Sequence, residues 1–175
     1  MGDTLTMALP TPNTASVAFD ALYRSCVDDV HAYAWSMLRD RAAAEDVTAL
    51  AFERAYRKRH SFDPARGTSR TWLFAIARNA ALDELRRRKR TASLLVDPED
   101  PAAAAAVGES GEHAERRASV RAALAGLDPH DRELVALKFH GGLSNAEIAA
   151  LLGVSETNAG TKVHRAVTKL REACA

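Results

Sequence analysis

Leu143-Ser144-Asn145-Ala146-Glu147-Ile148-Ala149-Ala150-Leu151-Leu152-Gly153-Val154-Ser155 holds a capped helix, a glycine stop and a second cap within thirteen residues. Ser144 stands where a hydroxyl can accept from the free amides of a helix start, and Glu147 three residues on completes a capping box. Ile148, Leu151 and Leu152 share the inner face of that short helix. Gly153 supplies the tight turn, Val154 an apolar plug between two helices, and Ser155 the next cap. The pattern predicts helices over Asn145–Leu152 and Glu156–Cys174, joined as a helix-turn-helix. In the second of these, Ala159, Val163, Ala166, Val167 and Leu170 share one face. Asn158, Thr161, Lys162, Arg165, Thr168 and Lys169 share the opposite face.

That outward set suits a helix in a DNA major groove, with uncharged polar groups first for base edges and cations later for phosphates. Surface lysines and arginines also fit the solvated side of an ordinary helical hairpin. The capped turn in front of them favours DNA. Upstream, Leu127-Asp128-Pro129 starts another helix, with Asp128 as cap and Pro129 at the first helical position. His140-Gly141-Gly142 ends it.

Further out, the composition changes. Residues 91–114 carry Asp97-Pro98-Glu99-Asp100-Pro101, an alanine run and two glycines. Low apolar bulk, proline, glycine and acidic charge mark a flexible acidic linker, with a short helix from about 113 to 126 after it. Residues 1–16 are rich in Thr, Pro and Asn and read as a disordered tail. Residues 17–90 are helical almost throughout, with Phe19, Leu22, Tyr23, Val27 and Val30 at helical spacing and a second helix over about 42–60. Asp63-Pro64-Ala65-Arg66-Gly67 is a turn, and Thr68 or Ser69 caps a long helix through Arg90. On that helix Trp72, Asn79, Asp83, Arg86 and Arg90 form one stripe, poor core but suited to nucleic acid through base-edge, phosphate and stacking contacts. Trp72 fits a core position equally well, and the arginine run also suits a solvated helix end.

Bulk numbers agree. Apolar residues make up 47% of the 175, charged residues 27% and aromatics only 6%. An alanine-rich, aromatic-poor chain favours helix over sheet, so the fold class is all-α. The net charge of +1 hides an asymmetry: 17–90 holds fifteen basic residues against ten acidic, while 91–119 holds two against six. Basic blocks flanking an acidic one suggest a polyanion partner for the basic parts. Cys26 and Cys174 lie far apart with no metal-ligand spacing, so no metal or cofactor is expected. No apolar run is long enough to span a bilayer and no signal peptide stands at the start, which places the chain in the cytoplasm without membrane insertion. The six histidines form no triad or ligand cluster, so an enzyme is not expected.

The residues together resemble a family. Ala44-Glu45-Asp46 through Phe52, then Arg54-Ala55-Tyr56, Phe62-Asp63-Pro64, Thr71-Trp72-Leu73-Phe74-Ala75-Ile76-Ala77-Arg78-Asn79 and Leu82-Asp83-Glu84-Leu85-Arg86-Arg87 are similar to region 2 of extracytoplasmic-function (ECF) sigma factors. Residues 127–172, with Val163-His164-Arg165-Ala166 and Lys169-Leu170-Arg171-Glu172, are similar to their region 4. The resemblance implies two small helical domains, 17–90 and 115–175, joined by the linker at 91–114. It implies a monomer in a holoenzyme with core RNA polymerase, promoter DNA in duplex and melted form, and a cognate anti-sigma factor. Core polymerase contacts would fall to Asp46, Ala49, Leu50 and Glu53. The minus-ten element would meet Trp72, Arg78, Asn79, Asp83, Arg86, Arg87 and Arg90. The minus-thirty-five element would meet Ser155, Thr157, Asn158, Thr161, Lys162, Arg165 and Lys169. A linker of roughly thirty residues spans up to roughly 100 Å extended, enough for promoter elements about two helical turns, on the order of 60–70 Å, apart.

Three positions depart from the family pattern. Gln and Glu are usual where Ala49 and Leu50 stand, and a basic residue is frequent where Gly160 stands. Gly160 is consistent with a close approach to the DNA backbone or with a different promoter preference. Two other readings compete. A helix-turn-helix regulator acting without polymerase usually dimerises, but no dimerisation helix is visible and 17–90 would be unexplained. An interaction protein that no longer reads promoters would fit the departures.

Overall fold

The computed structural model describes residues 14–94 and 112–174, with side chains described over 19–92 and 118–174. The described residues form seven α-helices: α1 (Thr14–Leu38), α2 (Arg41–Lys58), α3 (Ser69–Leu94), α4 (Glu112–Gly126), α5 (Pro129–Phe139), α6 (Asn145–Leu152) and α7 (Glu156–Cys174). Two single 3₁₀ turns, Arg59–Ser61 and Pro64–Arg66, link α2 to α3. The chain is all-helical as expected, with one helical group before and one after the linker. Helix α1 begins at Thr14, inside the stretch expected to be a tail, and α3 continues past Arg90 to Leu94. The expected tail over 1–13 and the heart of the expected linker, 95–111, lie outside the described residues.

Helices α1, α2 and α3 pack together as one bundle. In α1, Cys26, Val30, Tyr33, Ala34 and Met37 are buried at i, i+4, i+7, i+8 and i+11, a single helical stripe. Val47, Ala51, Phe52 and Ala55 of α2 and Leu73, Phe74, Ala77, Ala80 and Ala81 of α3 close on it. Alanines along the seams let the helix axes approach closely. Phe19 and Tyr23 meet Phe52 edge-on, at 6.4 and 4.8 Å between ring centroids.

The second group is α4 to α7. Leu134, Leu137, Leu143, Ile148, Ala159, Val163 and Ala166 are its core. Asp128 caps α5, accepting from the His130 and Asp131 amides at 3.0 Å. Gly141 is required by space: a Cβ there would lie 2.4 Å from the Leu137 carbonyl oxygen. Gly142, at φ 63°, completes the turn out of α5. The two groups share one apolar core, because α5 lies against α1 and α6 meets α3.

One corner has no counterpart in the sequence signals. α1 stops at Leu38 and α2 starts at Arg41 without a glycine or proline between them. Arg39 takes φ 54°, the left-handed region, and its amide donates to Trp35 O at 2.8 Å. Asp40 then caps α2 by accepting from the Ala43 amide at 3.0 Å. A non-glycine residue in that region carries a steric penalty of about 1–2 kcal/mol, and the Arg39 cation also bears on Arg132 across the fold. Arg39→Gly is therefore expected to raise unfolding stability by about 1 kcal/mol, measured as a higher urea midpoint at unchanged m-value. Arg39→Ala, which keeps the Cβ, gains much less.

Candidate nucleic-acid and polymerase interfaces

Helix α7 is held by the turn that the sequence describes. Ser144 Oγ accepts from the Glu147 amide at 3.2 Å and Glu147 Oε2 accepts from the Ser144 amide at 2.8 Å, a complete capping box. Gly153 sits at φ 68° and the Val154 amide donates to Ala149 O, which sets the angle into α7. Ser155 Oγ accepts from the Asn158 amide at 3.3 Å. Ala159, Val163 and Ala166 face inward. Ser155, Thr157, Asn158, Thr161 and Arg165 are exposed, and Lys162 is half-buried.

Lys169 is differently placed from the others. It is exposed, but its ammonium is bonded to the Asp131 carboxylate and lies 3.6 Å from Asp128. It ties the last turns of α7 to the start of α5, so any phosphate there competes with two carboxylates. Gly160 faces inward rather than toward the groove-reading side, since a Cβ there would lie 3.2 Å from the Asn145 side-chain amide. The close approach is therefore to α6 of the same chain.

On α3, Asn79, Asp83, Arg86, Arg87 and Arg90 are exposed. Arg86 pairs with Asp83 at 3.0 Å and Arg87 with Glu84 at 2.7 Å, each within one turn. Arg54 of α2 approaches Asp83 at 3.7 Å. Trp72 is half-buried, its ring 5.5 Å from that of Phe62 in the α2–α3 connection. Arg78 is turned away from the exposed stripe, and its Nε donates to Glu133 of α5 at 2.5 Å. Arg88, unremarked in the sequence, binds Asp40 at 3.0 Å and Glu84 at 2.9 Å and so fastens α3 to the α1–α2 corner. Only the tertiary fold brings Asp40 to it.

The residues expected to meet polymerase lie along α2. Asp46, Ala49 and Glu53 are exposed and Leu50 is half-buried. Asp46 and Leu50 line a groove of about 500 Å³ between α2 and α3, with Asp83 and Arg87 on its far wall. Ala49 and Glu53 are not among its lining residues, and Glu53 pairs with Arg57 at 2.7 Å.

Among the described residues, no group of three or more His, Cys, Asp or Glu could hold a metal ion. No described helix is long and apolar enough to cross a membrane.

Comparison with known proteins finds a family for each helical group. Residues 22–91 match the Sigma-70 region 2 family and residues 117–170 match the Sigma-70, region 4 family. The chain belongs to the ECF subfamily of sigma-70 factors. It is 35% identical over 159 residues to the RNA polymerase sigma factor CarQ of Myxococcus xanthus, covering 90% of each chain. It is 28% identical over 155 residues to the ECF RNA polymerase sigma factor SigM of Bacillus subtilis, covering 89% of this chain and 94% of that one. Among solved structures it is similar to the sigma factor RpoE in complex with the anti-sigma factor NepR from Bartonella quintana. The TM-score is 0.73 at 26% identity, over 89% of this chain and 96% of that one. It is also similar to CnrH in complex with the cytosolic domain of CnrY, with a TM-score of 0.64 at 29% identity over 89% and 86% of the two chains. Sigma factors are not enzymes, as the histidine pattern led us to expect.

Two predictions concern the sigma factor's stability. Hydrogen bonds from Arg87 and Arg88 hold the Glu84 carboxyl down at about 2, and the Asp131 amide, with further donors, holds Asp128 at about 2. Both groups are more acidic folded than unfolded. Their stabilisation is complete above the ordinary carboxylate range, about pH 4, and is lost as pH falls toward about 2. Urea midpoints measured across that window should fall steadily, and Glu84→Gln should flatten the decline. Gly160→Ala gains about 1 kcal/mol of helix propensity against a side-chain amide that can shift, so the variant should melt at a higher temperature.

Proposed function

We propose that this sigma factor joins bacterial core RNA polymerase as a monomer in the cytoplasm and directs it to a subset of promoters. Residues 17–90 form the polymerase and minus-ten module, 115–175 the minus-thirty-five module, and 91–114 the linker between them. The observation that carries this reading is the outward face of α7, where Ser155, Thr157, Asn158, Thr161 and Arg165 stand exposed behind a fully capped turn. Uncharged polar groups then reach base edges and Arg165 a guanine or a phosphate. Lys162 contributes a cation along the same helix, and Lys169 does so only in competition with Asp131 and Asp128.

In region 2, Asn79, Asp83, Arg86, Arg87 and Arg90 offer a wet, charged surface to melted minus-ten DNA. Trp72 beside Phe62 offers an aromatic edge near the connection of 59–68. Arg86 exchanges its exposed carboxylate partner for phosphate at little cost, and Arg87, in doing so, leaves Glu84 to Arg88. Pulling a base from the stack costs a few kcal/mol, and polymerase contacts at Asp46, Ala49, Leu50 and Glu53 must help to offset it. Control by an anti-sigma factor is supported by the similar chain whose structure contains one.

The test is co-elution with core RNA polymerase followed by transcription from a pool of promoter fragments. Discrete new start sites are expected. Failure of the folded protein to bind active core would overturn the proposal and favour a DNA-binding regulator that acts without polymerase. On a responsive promoter, Arg165→Ala should weaken duplex binding by about 1–3 kcal/mol in a sequence-dependent way. An equal loss on every sequence would make Arg165 a phosphate contact. Joint replacement of Arg86 and Arg87 should flatten the salt dependence of binding to melted DNA.

A further inference from the structure

Arg116-Arg117-Ala118-Ser119-Val120 lies in α4 and belongs to neither interface described above. Two arginines stand three and two residues before a serine, and an apolar side chain follows it. Ser119 is exposed, and Val120, at 43% exposed, is one of the few large apolar side chains that the described fold leaves in water. Among the described side chains of α4, 118–126, only Ala123 is buried. A segment with so few buried contacts opens locally at low cost, so this stretch can extend into the cleft of another protein. Charge patterns of this kind set the choice of substrate by kinases. The two cations suit acidic subsites ahead of the reacting hydroxyl, and Val120 suits an apolar one after it.

A second observation concerns what a phosphate there would meet. Ser119 lines a groove of about 600 Å³ between α4 and α7, with Ala122 and Gly126 on its own helix and Lys169 and Ala173 across from it. The short side chains keep the groove open. The Lys169 ammonium is bonded to Asp131 and lies 3.6 Å from Asp128, and its side chain is 56% exposed. An ammonium has three donors, more than the two carboxylates that this one meets.

We propose that Ser119 is a phosphorylation site for an arginine-directed serine/threonine kinase, and that its phosphate binds Lys169 and weakens reading of duplex promoter DNA by α7. The effect on DNA rests on the promoter reading above; the modification itself does not. Ser119 Oγ attacks the γ-phosphorus of ATP. The new P–O bond forms as the bond from that phosphorus to the β–γ bridging oxygen breaks, ADP leaves, and the hydroxyl proton passes to a carboxylate of the kinase. The product carries a charge of about −1.5 to −2 at neutral pH, and its oxygens accept a charge-assisted bond from Lys169. Asp128, the more distant partner, gives way and keeps its bonds to the His130 and Asp131 amides at the start of α5. Two consequences follow from the geometry. The phosphate ties α4 to α7, and it places a dianion one turn beyond Arg165, where Lys169 would otherwise face DNA phosphate.

The test incubates the folded full chain with magnesium ATP and the catalytic domain of an arginine-directed serine/threonine kinase, and maps the product by peptide mass spectrometry. One phosphate is expected on Ser119, absent from Ser119→Ala and from the variant with Arg116→Ala and Arg117→Ala. Phosphate on Thr91, which also follows a basic run, with none on Ser119 overturns the site, as does no incorporation. The phosphorylated protein should melt about 2–4 °C higher and bind minus-thirty-five duplex about tenfold more weakly. In Lys169→Ala both differences between phosphorylated and unmodified protein should largely vanish. Ser119→Glu, compatible with a helix, should reproduce part of each change. An unchanged melting temperature together with unchanged duplex binding overturns the Lys169 contact. If Ser119 takes phosphate and the melting temperature rises only when Lys169 is present, yet no form binds promoter DNA, the site stands and the promoter reading fails.

Discussion

A single stripe on α1 has to be buried from two sides. Cys26, Val30, Tyr33, Ala34 and Met37 run along one face, and α2 and α3 cover part of it while α5 covers the rest. Tyr33 and Val30 are fully buried, and Tyr33 meets Phe74 of α3 and lies near Glu133 of α5. The apolar area of α1 therefore supports two tasks at once. It builds the region 2 bundle, and it gives region 4 a surface on which to dock. Everything polar at the junction, from Arg70 to Glu133, is arranged around that shared face.

This arrangement explains why arginines on one helix have different roles and different exposure. Arg86 and Arg87 lie on the solvent side of α3 and pair with carboxylates one turn away. The exposed Arg86–Asp83 pair contributes little and exchanges readily. Arg70, Arg78 and Arg88 lie on the flanks that meet other helices, and each binds groups more than forty residues distant in sequence. The same residue type is thus left exposed for the proposed nucleic-acid contact or serves as a structural clasp, depending on which sector of the helix it occupies. Lys169 shows the same division on α7, where Asp131 and Asp128 of α5 take it.

The departures from the family pattern acquire physical meaning in this frame. Gly160 packs next to Asn145 of α6. Ala49 is exposed on α2 and Leu50 is half-buried at the groove toward α3. In the proposed polymerase contact an apolar pair would shift the balance from hydrogen bonding toward burial, with the neighbouring Asp46 and Glu53 retaining the charge.

Much of the fold was legible from local chemistry. The helix-turn-helix followed from Ser144, Glu147, Gly153 and Ser155, because caps and left-handed glycines act within four residues of the helix end they control. The bounds of α6 and α7 and the cap at Asp128 followed for the same reason, and the exposed stripes on α3 and α7 followed from helical periodicity. The corner at Arg39 left no such mark, since an arginine in the left-handed region is tolerated only where the surrounding packing imposes it. Nor did sequence separate Arg78 from its neighbours Asn79 and Arg86, or Lys169 from Arg165. Those distinctions depend on Glu133 and Asp131, which local spacing shows only as charges near a helix start. Helix ends and faces were thus determined by the sequence itself, through interactions within a turn or two. Which faces meet, and hence which cations are left exposed, was decided by the burial of α1 against both halves of the chain.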